Sequence, residues 1–201
     1  MIKYLLLLFL FFSSPANIFS FKALEAETKE SFFESGKENI SKKKYSDALD
    51  DFNNYIKSNP DSWEALHNRG LSKEYLGDFL GAIDDYSRAI ELNPNPWEKT
   101  FFRRGYSYEK NGNFQDAISD YNSAININPK YEDAYYFRGF LEAKLNDLNG
   151  AIDDYSKLIE LAPNDDYAYF NRGDAKSRLK DYEGAIADYN SAININPKFE
   201  N

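Results

Sequence analysis

The sequence predicts an all-α chain of five helix–turn–helix units stacked side by side, and three observations carry that prediction. Prolines fall at Pro60, Pro94, Pro129, Pro163 and Pro197, at spacings of 34, 35, 34 and 34 residues. A fixed period in this range marks a helical repeat. Reading back from each proline gives an alanine column of Ala48, Ala82, Ala117, Ala151 and Ala185, and four residues after each alanine an aromatic: Phe52, Tyr86, Tyr121, Tyr155 and Tyr189. Twelve residues before each alanine lies a glycine: Gly36, Gly70, Gly105, Gly139 and Gly173. Small residues at fixed positions let two helices approach closely, and no unit buries its apolar face alone.

The elements follow in chain order. Residues 1–20 open with Lys3, run apolar from Tyr4 to Phe12 and break at Ser13-Ser14-Pro15. This reads as a secretory signal peptide, which makes the protein exported, periplasmic or secreted. The alternative is an N-terminal membrane anchor over residues 2–21. A nine-residue apolar run is short for a bilayer. Residues 21–28 form a linker. Unit one, 29–62, carries Ser35 and Asn39 where later units carry larger residues, and Lys42-Lys43-Lys44 in its turn, as suits a polar cap.

Unit two, 63–96, shows the punctuation most clearly. Ser62 caps a first helix that runs to about Leu76, Gly77-Asp78 turns the chain, and a second helix runs from about Leu80 to Leu92 before Asn93-Pro94 ends it. Gly112, Asn146 and Lys180 occupy the Gly77 column, and Gly or Asn there suits a left-handed C-cap. Units three to five span 98–131, 132–165 and 166–199, with one extra residue near Trp97. The expectation is ten antiparallel helices and no strand over 29–199. The terminal helix, about 181–195, is expected to expose Ile186 and Ile193 or to bury them in another copy, so a homo-oligomer through residues 181–196 is the second functional reading.

This order of a large apolar residue (Phe32, Leu66, Phe101, Tyr135, Tyr169), Gly, Ala, aromatic and Pro resembles the tetratricopeptide repeat, over about residues 29–199. The resemblance implies a right-handed superhelix whose first helices line a concave groove. It also implies a protein–protein interaction scaffold rather than an enzyme. The column that would project into that groove reads Phe33, His67, Phe102, Tyr136 and Phe170, and the groove takes in Asn68, Lys99, Arg103, Tyr106, Phe140 and Asn171. Aromatic area with a few amide and cationic groups suits a peptide or protein segment. The plainer reading is that these rings cover neighbouring helices. Some repeats of this kind clamp C-terminal carboxylates of heat-shock chaperones. Here Asn68, Lys99 and Arg103 match that clamp, while Phe33 and Lys37 stand in place of a lysine and an asparagine. The departure argues against chaperone-tail binding.

Composition narrows the classes. The net charge is −9 and the chain has 33 acidic residues against 24 basic ones, which excludes a nucleic-acid partner. There is no cysteine and one histidine, so no disulfide or zinc site is expected, and no catalytic residue or cofactor is assigned. The last expectation is an ion-pair ladder. Each second helix carries an Asp before its aromatic (Asp51, Asp85, Asp120, Asp154, Asp188), and each first helix but one carries an Arg before its Gly (Arg69, Arg104, Arg138, Arg172). Because unit one lacks the Arg, the reading pairs each Asp with the next unit's Arg: Asp51–Arg69, Asp85–Arg104, Asp120–Arg138 and Asp154–Arg172.

Overall fold

A computed structural model describes residues 31–198. The predicted signal peptide, anchor and linker lie outside the described residues, and no described helix is long and apolar enough to cross a membrane. The described residues are helical, with no strand, and form two compact units divided after Leu92.

In the first unit α1 occupies 31–41, α2 Tyr45–Ser58, α3 Trp63–Tyr75 and α4 Phe79–Leu92. In the second unit α5 is Glu98–Lys110, α6 Phe114–Ile127, α7 Glu132–Lys144, α8 Leu148–Leu161, α9 Asp166–Arg178 and α10 Tyr182–Ile195. Consecutive helices pair as hairpins, and the helix bounds predicted for unit two and for the terminal helix hold to within a residue or two. Ser62 caps α3 by accepting from the Ala65 N–H at 3.3 Å. The turn column is left-handed throughout: Lys43 (φ 58), Gly77 (84), Gly112 (86), Asn146 (69) and Lys180 (68). Each ends a helix whose next residue must head back antiparallel.

A capping device that the sequence reading missed starts three of the second helices. Asp78, Asp147 and Asp181 accept from the backbone N–H of Gly81, Gly150 and Gly184 at 3.0, 3.1 and 3.0 Å. The glycine makes room for the cap, since a Cβ on Gly81 or Gly184 would stand 2.2 Å from the carboxylate.

The core of each hairpin follows from the columns. The alanines Ala48, Ala82, Ala117 and Ala151 are fully buried. The aromatics Phe52, Tyr86, Tyr121 and Tyr155 are buried beside them and lie over the glycines. A Cβ on Gly36, Gly70 or Gly105 would meet the aromatic ring of its own hairpin at 2.7–2.9 Å. The buried Tyr86 hydroxyl donates to Glu74 at 3.0 Å and Tyr121 to Glu109 at 3.1 Å. In the first hairpin, Phe52 has no hydroxyl and Ile40 stands where the acceptor would be.

Candidate functional site: the aromatic face and the ion-pair hairpins

The ion-pair ladder forms, but not in the predicted register. Arg69 binds Asp85 (Nε 2.8 Å, Nη2 2.6 Å), Arg104 binds Asp120 (2.7 and 2.7 Å), and Arg172 binds Asp188 (2.9 and 2.6 Å). Arg138 binds Asp154 in the same bidentate way. Every pair lies within one hairpin, so the forward pairs Asp51–Arg69, Asp85–Arg104, Asp120–Arg138 and Asp154–Arg172 are corrected. The physical reason is the glycine beside each Arg. It draws the two helices of a hairpin so close that the guanidinium fork meets the carboxylate of its own second helix. Asp51, which lacks an Arg, receives hydrogen bonds from Ser35 (2.7 Å) and Asn39 (2.9 Å) instead. Unit one thus solves the same problem with neutral donors.

A contact to the preceding hairpin survives, carried by a different group. The remaining guanidinium nitrogen of Arg69 donates to Asn53 at 3.1 Å, that of Arg172 to Ser156 at 3.1 Å, and that of Arg138 to Asn122. Arg69, Arg138 and Arg172 therefore each fix their own hairpin through a charge and the neighbouring one through a neutral acceptor. The bidentate geometry is specific to arginine.

The predicted groove column is placed against the aromatic column of its own hairpin. Ring centroids lie 6.0 Å apart for Phe33–Phe52, 5.5 Å for His67–Tyr86, 5.6 Å for Phe102–Tyr121, 6.3 Å for Tyr136–Tyr155 and 5.6 Å for Phe170–Tyr189. His67 and Phe102 are only 8% and 6% exposed, so the sequence reading of them as surface is corrected: they are packing. Phe33 is half-buried between Phe52 and Tyr55. Asn68 donates to the Glu64 carbonyl in its own helix at 2.8 Å. Lys37 pairs with Glu34 at 3.0 Å. Lys99 is exposed, and Arg103 and Asn171 are half-buried.

In the second unit the other predicted groove aromatics keep exposed surface. Phe140 and Phe170 are each 41% exposed, and Tyr106 and Tyr136 are half-buried. Phe137, which the sequence reading passed over, holds this region together. Its ring meets Phe102 (5.5 Å), Tyr106 (5.8 Å), Tyr121 (6.1 Å) and Tyr136 (5.4 Å), mostly edge to face. The signal was present: the same column elsewhere reads Glu34, Asn68, Arg103 and Asn171, so an aromatic there is out of pattern. Beside it, α7, α8 and the start of α9 bound a cleft of about 360 Å³ lined by Glu132, Asp133, Tyr136, Phe137, Leu158, Asp165 and Tyr167. Aromatic and aliphatic surface forms part of the lining, and three carboxylates give it a negative charge.

The profile of the tetratricopeptide repeat family matches residues 63–96, 98–131 and 167–199, and a second tetratricopeptide profile matches 141–180. Among solved structures the chain is similar to the MamA protein, at 23% identity and a TM-score of 0.80 over 86% of this chain and 94% of that one. It is similar to YrrB, described as a tetratricopeptide protein with an unusual peptide-binding site, at 18% identity and a TM-score of 0.78 over 89% and 92%. A tetratricopeptide repeat protein from Parabacteroides merdae aligns at 20% identity and a TM-score of 0.77 over 86% and 68%. No curated protein matches the chain.

Proposed function

Because the chain belongs to the tetratricopeptide repeat family, we propose that it is a non-enzymatic scaffold that binds a protein segment on the aromatic face of its second unit. The observation that supports this is the cleft around Tyr136 and Phe137, with the exposed rings of Phe140 and Phe170 on helices α7 and α9. Aromatic rings supply contact area at low entropy cost. The carboxylates of Glu132, Asp133 and Asp165 select what enters: a segment with a large apolar side chain next to Lys or Arg. The net charge of −9 favours the same basic partner.

The test is selection of displayed random peptides on the full chain. Enriched peptides are expected to place Lys or Arg beside an aromatic or aliphatic residue. Tyr136→Ala and the double change Glu132→Gln with Asp133→Asn are expected to weaken those peptides about tenfold or more. Selected peptides whose binding ignores both changes would put the binding surface elsewhere.

A further inference from the structure

Helix α10 presents a surface that this protein covers elsewhere. Residues 188–198 repeat residues 120–130 without a change, and Ala185-Ile186 repeats Ala117-Ile118. Helices α6 and α10 therefore carry the same strip of side chains. In α6 that strip is seated under α7. Ile125 is 9% exposed, Tyr121 and Ala124 are fully buried, and Ile118 packs against the same cluster. In α10 the equivalent Ile193 is 50% exposed, Ile186 is 60% exposed and Tyr189 is only half-buried.

The occupant of α6 defines the chemistry the strip accepts. From α7, Ala134 and Leu141 enter the core cluster beside Ile125, and Phe137 meets Tyr121. Arg138 donates to Asn122, and the Tyr135 hydroxyl donates to the Pro129 carbonyl at 3.3 Å. On α10 the corresponding groups are Ile193, Tyr189, Asn190 and Pro197. A second copy stacking head to tail would have to offer α1. At the matching positions α1 carries Ser31, Glu34, Ser35 and Glu38 in place of Ala134, Phe137, Arg138 and Leu141. That would set carboxylates against isoleucine and leave the amide of Asn190 without a cation, so the charge and polarity of α1 exclude it.

We propose that the outer face of α10 is a docking site for an amphipathic helix of a partner protein. The helix carries a small residue, an aromatic and an Arg three and four positions on, and a Leu seven positions on. This site is separate from the cleft of the second unit and does not depend on it. The recognition is helix in groove, with apolar anchors at i, i+3 and i+7 and the Arg reading Asn190. The acidic chain favours the cation.

The probe is a fluorescent peptide of residues 130–147, which carries the α7 pattern, together with the same peptide stapled between positions 132 and 136 so that helix formation is not limiting. Both are titrated against the full chain by anisotropy, with light scattering on the free protein. The expected result is saturable binding by a monomeric protein, weakened at least about tenfold by Ile193→Glu in the protein and several-fold by Arg138→Ala in the peptide. Ile193 is exposed in the free chain, so the substitution leaves the fold intact, and circular dichroism checks this. Failure of the stapled peptide to bind, or binding that Ile193→Glu leaves unchanged, overturns the proposal. A dimer that Ile193→Glu dissociates also overturns it and gives the face to a second copy.

Discussion

The α7–α8 and α9–α10 hairpins are built alike and charged oppositely. Each holds an Arg–Asp fork, Arg138 with Asp154 and Arg172 with Asp188. One turn further along the first helix, the α9 hairpin places Lys176, whose ammonium sits 2.8 Å from Asp188. The α7 hairpin places Glu142 there. Burial alone would raise Asp188, but hydrogen bonds from Arg172 and Lys176 outweigh it and hold the carboxyl below its usual range. Burial raises Asp154, and Arg138 offsets it only in part. Glu142 itself is pushed up to about 7, first by burial and then by the charge of Asp154, and its Oε2 is buried without a hydrogen-bond partner. Asp120, with Arg104 as its hydrogen-bonding cation, is also raised by burial. At Asp120 and Asp154 one guanidinium offsets only part of the cost of burying the carboxylate, and at Asp188 two cations outweigh it.

The largest expected difference comes from removing the arginines. Arg138→Ala leaves Asp154 buried beside another carboxyl and is expected to cost about 3–5 kcal/mol, whereas Arg172→Ala leaves Lys176 in place and costs about 1–3 kcal/mol. Hydrogen exchange of the α8 and α10 amides reads the two hairpins separately, which a single melting curve in a repeat protein does not. Equal losses would show that the second cation contributes nothing.

Exchanging the odd residue should erase the contrast. Glu142→Lys reproduces the arrangement around Asp188, and protection of the α8 amides at pH 8 is expected to rise by about 1–2 kcal/mol. No gain would mean that the side chain at 142 does not reach Asp154.

The pH dependence is a smaller effect with opposite signs in the two hairpins. The folded-state value of Glu142 lies above its ordinary 4.5, so its contribution is whole below about pH 4.5 and is lost as pH rises through about 7. Asp188 lies below its ordinary 3.8, so its contribution is present above that value and is lost as pH falls past it. Between pH 5 and 8 the α7–α8 hairpin should therefore weaken while α9–α10 does not, read as a loss of protection, corrected for intrinsic exchange, at the α8 amides but not at the α10 amides. Glu142→Gln is expected to flatten that slope, and a slope that survives the change assigns it to another group.

The smallest expected effect lies in the turns. Lys180 holds φ 68 with a full side chain, where Asn146 holds φ 69. Lys180→Gly should stabilise α9–α10 by up to about 1 kcal/mol, and Asn146→Gly should gain less, because Asn tolerates this conformation.

The fold was legible because its determinants are columns. Gly, Ala and aromatic residues recur where two helices must touch, and Pro recurs where a helix must stop. The pairing of Arg with Asp was not legible from the same columns. Ser35 in unit one suggested that Asp51 needed an Arg from the next unit, yet a hydroxyl and an amide also serve as its hydrogen-bond donors. The aromatic column was half legible. Sequence spacing put Phe102 and Phe170 in one row, but exposure depends on what packs above the ring. Phe102 lies among Tyr121, Tyr131 and Phe137, while Phe170 remains 41% exposed. The carboxylates of the cleft went unread because they come from two separate helix starts, and no spacing in one dimension brings Glu132 and Asp165 together.

The duplicated strip of α6 and α10 has a kinetic consequence. During folding, α7 meets two surfaces of identical composition, and contact chemistry cannot tell them apart. Chain connectivity does: a handful of residues join α6 to α7, whereas some tens separate α7 from α10, which is worth about 2 kcal/mol of loop-closure entropy. Between two molecules that advantage disappears. Refolding at high protein concentration is therefore expected to trap exchanged dimers, in which one molecule's α7 rests on the other's α10, and dilution is expected to suppress them.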